Sequence, residues 1–274
     1  MIRFSHTLFA LPFAAASALA AQRGLPPARA ILGILGAMVG ARSAAMAFNR
    51  LADERFDREN PRTAGRHLPA GLLSRTYVWS FTAAAAALFL ASCAWLNPLC
   101  LKLSPVALAW VLGYSYAKRF TSAAHLWLGV GLGMAPVGAW CAVKGDLSHP
   151  APWVLGTAVA LWTAGFDLLY ACQDAEFDRR KGLHAIPARY GVPAAMRMAR
   201  VLHLLAILGL ARFVRFAGLG GISYGAVGGM ALLLGWEHRL VRPDDLSRLD
   251  AAFFTLNAAS SLLIAAGVAA DVLR

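Results

Sequence analysis

Asn49, Asp53 and Asp57 recur at intervals of four, and so do Asp174 and Asp178. In a helix that spacing stacks side chains on one face, one turn above the next. Both sets run into the same six-residue word, Asp-x-x-Phe-Asp-Arg, at 53–58 and 174–179, and each follows a long apolar run. Carboxylates paired in this way suit hard divalent cations, which take oxygen ligands. Two such stripes facing each other in an otherwise apolar chain predict a site for metal ions and a diphosphate. Asp167, seven residues before Asp174, shares the second stripe about two turns deeper, and Arg42 stands in the same relation to Asn49. An ionisable group inside an apolar span is costly and normally faces a partner or a watered cavity. Arg42 is long enough to snorkel to the interface instead; Asp167 is not. Tyr170, one turn beyond Asp167, either hydrogen-bonds a ligand or belongs to an interfacial aromatic belt.

Basic residues follow the acidic words. Arg62 and Arg66 come after the first, Lys118 and Arg119 close the fourth apolar run, and Arg179, Arg180, Lys181 and His184 come after the second. Most of this charge is what any cytoplasmic loop carries. Lys118 and Arg119, at a helix end, are the first candidates for donating to phosphate oxygens, with Arg62 and Arg66 next. His6, His125 and His203 stand isolated and are expected to be structural.

These residues need elements to hold them, and composition says which. The 274-residue chain is 59% hydrophobic and only 15% charged, where a soluble domain carries about a quarter charged residues; its mean hydropathy is +0.57. Runs long enough to cross a bilayer lie near 7–22, 30–48, 78–96, 100–117, 125–143, 152–171, 198–216, 219–235 and 251–271. The expected fold is therefore all-α: one polytopic domain over 1–274 with nine transmembrane helices. Very short connections around Asn97-Pro98 and Gly218 require antiparallel hairpins. The first segment imitates a secretory signal, with small residues at Ala18-Leu19-Ala20, but reads as the first membrane helix. Cys93, Cys100, Cys141 and Cys172 form no Cys-x-x-Cys pair and read as apolar filler.

Strict alternation of nine spans puts the four longer connections (49–77, 118–124, 172–197 and 236–250) on one face. That face holds eighteen of the twenty-six Lys and Arg residues, which makes it cytoplasmic, with the C-terminus outside. It also holds twelve of the fourteen acids, which topology does not demand; a metal bound to a polyanion does. The net charge of +12 thus reflects membrane topology and an anionic substrate, not nucleic acid.

Taken together, these residues resemble the UbiA superfamily of intramembrane aromatic prenyltransferases, and within it the 4-hydroxybenzoate polyprenyltransferase-like branch. The likeness covers nearly the whole chain. It rests on Arg3, on Arg42 seven before Asn49, on Asn49-x-x-x-Asp53-x-x-x-Asp57 and on Arg62-Thr63-x-x-Arg66. It continues in Tyr116-x-Lys118-Arg119-Phe120-Thr121 and in Asp167-x-x-Tyr170-Ala171-x-x-Asp174-x-x-x-Asp178. The resemblance implies nine helices around a central cavity, with both aspartate motifs at its cytoplasmic mouth. It implies that Asn49, Asp53, Asp57, Asp174 and Asp178 hold two Mg2+ ions on a polyprenyl diphosphate. Arg42 and Arg3 become candidates for an aromatic acid's carboxylate, and Asp167 for orienting an arginine or handling a proton. One departure is Arg50, where many relatives carry Asp.

The implied reaction is Mg-dependent transfer of a polyprenyl group to the carbon ortho to the hydroxyl of 4-hydroxybenzoate, at an inner membrane with the site facing the cytoplasm. The same chemistry on 1,4-dihydroxy-6-naphthoate is the alternative acceptor reading, and a membrane transporter is the non-enzyme one. A transporter would place its charges at the bilayer midplane, whereas these cluster at one face. A CDP-alcohol phosphotransferase would need an Asp-Gly-x-x-Ala-Arg segment, which the chain lacks.

Overall fold

The structure is a computed structural model that describes residues 7–61, 63–241, 246, 249 and 252–274. Arg3, His6 and Arg62 lie outside the described residues. Long apolar helices dominate it: α1 (Thr7–Gln22), α2 (Ala28–Ala52), α4 (Arg75–Leu96), α5 (Pro98–Ala117), α6 (Ala124–Lys144), α7 (Pro150–Ala171), α10 (Val192–Phe216), α11 (Gly221–Leu240) and α12 (Asn257–Val272). Three short helices, α3 (Glu54–Glu59), α8 (Ala175–Arg180) and α9 (Ile186–Tyr190), lie in the connections, and no strand occurs among the described residues. The helices match the expected spans, but among the described residues seven, against the nine expected, are long and apolar enough to cross a membrane. The described part of α1 is shorter than these, and the last turn of α11 carries Glu237, His238 and Arg239. The chain is a multi-pass membrane protein.

Turn chemistry explains the tight hairpins on one side. Asn97 alone joins α4 to α5: its Oδ1 accepts from Cys100 N at 2.9 Å and its Nδ2 donates to Cys141 O at 2.9 Å, with Pro98 opening α5. Gly145 ends α6 at φ 67°, a left-handed conformation that glycine adopts without strain. The longer connections, on the other side, carry the acidic words.

α7 is the central helix. In an 18-residue apolar stretch within Pro150–Arg180, 72% of residues are buried, against at most 33% in the corresponding stretch of any other candidate span. α6 and α10 pack along it, and Trp162 meets Phe13 of α1 with ring centroids 5.2 Å apart. The α6–α7 contact is unusually close. A Cβ on Gly129 or Gly133 would fall 2.2 or 2.3 Å from the carbonyl oxygen of Ala160 or Gly156. Small residues that let backbones touch are how helices associate where lipid supplies no hydrophobic drive. All four cysteines are free and buried, as their filler role requires.

Neither acidic stripe lies on one unbroken helix. α2 stops at Ala52, Asp53 takes φ −98° and ψ 7°, and α3 begins at Glu54. In the second word a 3-10 turn (Cys172–Asp174) intervenes, Asp174 takes φ −99° and ψ 4°, and α8 follows. The four-residue bonding survives the first break, through Asp53 N to Asn49 O at 2.9 Å and Asp57 N to Asp53 O at 2.7 Å. The stripe bends but keeps its facing.

Candidate functional site

The two words come together. Asn49, Asp53 and Asp57 from the α2–α3 bend and Asp167, Tyr170, Asp174 and Asp178 from the α7–α8 bend line one cavity of about 210 Å³. Arg66, Lys118 and Arg119 complete its charged wall. Arg42 does not line it, although the seven-residue spacing aligned it with Asn49.

Asp57, Asp53 and Asp178 each face a cation from another element. Asp57, 6% exposed, accepts from Arg66 Nη1 on both oxygens, at 2.6 and 2.7 Å, and Arg50 Nη1 stands 3.7 Å from its Oδ2. The Arg50 departure thus adds a cation beside the first word. Asp53 Oδ2 accepts from Asn49 Nδ2 at 2.9 Å, and its Oδ1 from Arg119 Nη2 at 3.2 Å. The Arg119 guanidinium lies over Phe56 and Tyr116, 5.2 and 4.7 Å from the ring centroids, which fixes its plane. Asp178, 4% exposed, has Lys118 Nζ at 3.7 Å from Oδ2, and that oxygen makes no hydrogen bond. Burial pushes the Asp53 carboxyl above its ordinary value; the Arg119 hydrogen bond opposes this, and the charge of Asp57 adds to it.

Five carboxylates against three cations leave the cavity net acidic, a poor host for a diphosphate alone and a good one for divalent cations. The donors are all oxygen, as Mg2+ prefers. Among the described residues no three His, Cys, Asp or Glu side chains lie close enough to share one ion. A cation held by these side chains would complete its oxygen shell with water and substrate, as Mg2+ on phosphates usually does. The unbonded Asp178 Oδ2 is a ready ligand. Asn49, Asp53, Asp57, Asp174 and Asp178 thus fit divalent cations.

Two histidines expected to stand alone do not. His125 Nδ1 lies 2.6 Å from Asp167 Oδ2, and His203 Nδ1 lies 3.0 Å from His238 Nε2. Asp167, a candidate for orienting an arginine or handling a proton, is thus paired with a histidine. Tyr114 and Ser115 also line the cavity, and Ser115 Oγ is 3.5 Å from Asn49 Nδ2. Tyr114 was legible in principle, four residues before Lys118 and so on the same face of α5; Ser115 carried no such signal.

The fold is all-helical and intramembrane, and its acidic cavity suits an anionic ligand carried on divalent cations. A sequence profile of the UbiA prenyltransferase family matches residues 10–259. The chain is 31% identical over 243 residues to the 4-hydroxybenzoate octaprenyltransferase of Aeromonas salmonicida, covering 89% of this chain and 83% of that one. It is 32% identical over 243 residues to the same-named protein of Marinobacter nauticus, covering 87% and 81%. Among solved structures, the apo UbiA homolog of Aeropyrum pernix K1 superposes over the whole of both chains with a TM-score of 0.90 at 37% identity. A UbiA homolog of Archaeoglobus fulgidus bound to DMAPP and Mg2+ shares the fold, with a TM-score of 0.71 at 18% identity over 96% of this chain and 95% of that one. The chain belongs to the UbiA prenyltransferase family and is a polyprenyltransferase of the 4-hydroxybenzoate type in its likeness.

Proposed function

We propose that the protein transfers a polyprenyl group from its diphosphate to the ring carbon ortho to the hydroxyl of 4-hydroxybenzoate, in an Mg2+-dependent reaction. One observation carries the reading: both Asp-x-x-Phe-Asp-Arg words, from helices remote in sequence, open into a single cavity with Arg66, Lys118 and Arg119. The names of the bacterial relatives and the Mg2+-bound homolog support it. The Lys and Arg asymmetry supports an inner-membrane location with this cavity facing the cytoplasm.

In this reading Asn49, Asp53, Asp57, Asp174 and Asp178 hold the cations. When bound, Mg2+ supplies Lewis-acid stabilisation of the charge that builds on the departing diphosphate. Arg66, Lys118 and Arg119 exchange their carboxylate partners for phosphate oxygens, with the Arg119 plane set beforehand by Phe56 and Tyr116. Arg62 is a further candidate for the diphosphate, and Arg42 and Arg3 are the candidates for the aromatic acid's carboxylate. The surrounding apolar helices exclude water from the allylic cation, which would otherwise be quenched. Tyr170 hydrogen-bonds the substrate, and Asp167 lies deepest on its stripe, near the reacting carbons.

The test uses purified protein with labelled polyprenyl diphosphate and a panel of aromatic acids that includes 1,4-dihydroxy-6-naphthoate, with and without Mg2+. The expected product is 4-hydroxybenzoate prenylated ortho to the hydroxyl, formed only with the metal. No product from any phenolic acid, or product undiminished by chelation, overturns the reading.

A further inference from the structure

His125 sits in the first turn of α6, and Asp167 one turn before the end of α7. The contacts of Gly129 and Gly133 fix how these two helices lie against each other, and that register brings His125 Nδ1 to 2.6 Å from Asp167 Oδ2. A carboxylate offers only lone pairs, so the imidazole hydrogen on Nδ1 is the one donated. This is the only hydrogen bond either side chain makes among the described residues. His125 is 1% exposed, and its Nε2 makes no hydrogen bond. A buried polar atom without a partner is costly, and an apolar side chain of similar size would fill this space more cheaply. Packing alone therefore gives no reason for histidine here. Asp167 does: it lines the cavity, and with Oδ2 engaged from behind, its Oδ1 is left for whatever enters.

We propose that His125 is a positioning residue, which holds one oxygen of Asp167 so that the other accepts the proton lost by the substrate ring. The inference rests on the prenyl-transfer reading above. As the C–O bond to diphosphate breaks, its electron pair leaves with the diphosphate, and a ring π pair forms the new C–C bond. The ring carbon then surrenders its proton to Asp167 Oδ1, and the C–H electrons restore aromaticity. Asp167 returns that proton to water between turnovers, so nothing is oxidised or reduced. Misplacing the acceptor slows proton removal without touching the diphosphate end of the cavity.

The experiment compares His125→Leu with His125→Asn, whose side-chain amide offers a donor at the same distance from the backbone as Nδ1. Both are assayed with 4-hydroxybenzoate carrying hydrogen or deuterium at the carbons ortho to the hydroxyl. His125→Leu is expected to lower kcat about tenfold to a hundredfold, to leave the KM for the diphosphate unchanged, and to bring out a deuterium isotope effect. His125→Asn is expected to restore most of the rate and abolish that effect. Should the leucine variant not fold, His125→Gln, whose amide lies one bond too far out, takes its place with the same expectation. Equal losses in the leucine and asparagine variants, a fall in kcat without an isotope effect, or full activity in His125→Leu overturns the proposal. If the unmodified protein prenylates no phenolic acid, the underlying reading fails as well; normal turnover with an unaffected leucine variant sinks this inference alone.

Discussion

The two Asp-x-x-Phe-Asp-Arg segments bend at the same aspartate with nearly the same torsions, −98° and 7° at Asp53, −99° and 4° at Asp174. Their last carboxylates fare differently. Asp57 is gripped through both oxygens by Arg66, with Arg50 nearby, whereas Asp178 faces a lysine at 3.7 Å and keeps one oxygen unbonded. The repeated word thus fixes the backbone, and its neighbours decide how much of each acid is committed to the fold. The first segment is bound up with protein cations before any ligand arrives. The second keeps acceptor capacity in hand, just past the C-terminal end of α7.

Where the segments are equivalent, at their first aspartates, removal should hurt equally. Asp53→Ala and Asp174→Ala are each expected to cut turnover by at least about a thousandfold while leaving a monodisperse protein with a near-normal Tm. One variant keeping near-normal activity would show that only one segment serves the reaction. Next in size comes the tether between them, since Lys118 and Arg119 follow each other at the end of α5 and reach opposite segments. Arg119→Ala removes the bond to Asp53 and the stacked guanidinium, and should cost about a hundredfold in kcat/KM. Lys118→Ala, losing a looser contact, should cost about tenfold. The reverse order would mean the second segment holds the diphosphate more firmly.

The third comparison separates stability from chemistry. Asp57→Asn strips the charge that Arg66 and Arg50 face, and should destabilise the protein by about 2 kcal/mol. Asp178→Asn should change stability by less than about 1 kcal/mol but raise the Mg2+ concentration needed for half-maximal activity more than Asp57→Asn does. Thermal unfolding in detergent and Mg2+ titrations of activity distinguish the two. Equal destabilisation would erase the asymmetry drawn here.

Much of this was legible because period and charge are local signals. Spacing by four and seven put Asn49, Asp53, Asp57, Asp167, Tyr170, Asp174 and Asp178 on shared faces, and the cavity collects them all. The breaks at Asp53 and Asp174 were not legible, because no proline or glycine marks them in Leu51-Ala52-Asp53-Glu54 or Cys172-Gln173-Asp174-Ala175, and an aspartate suits a helix start without requiring one. The same limit hid the His125–Asp167 pair, 42 residues apart and brought together by glycines on a neighbouring helix face. Arg42, seven residues before Asn49, lies outside the lining of this cavity: periodicity assigns a face, not the depth to which a cavity follows it.

The smallest effect concerns the rim. Lys181, just past the second segment, donates to Glu59 at the end of the first, and its hydrogen bond and charge hold the Glu59 carboxyl below its ordinary value. Both side chains are more than a third exposed, so water and salt screen the pair. A lowered carboxyl value means that any help the pair gives is present near neutrality and fades as pH falls below the usual glutamate range. Lys181→Ala should therefore leave Tm unchanged at pH 7 and alter the KM for the diphosphate by no more than about twofold, with even that difference vanishing in high salt. A larger loss that persists in salt would mean that the two segments depend on this clasp to face each other, and that the matching bends alone do not set their separation.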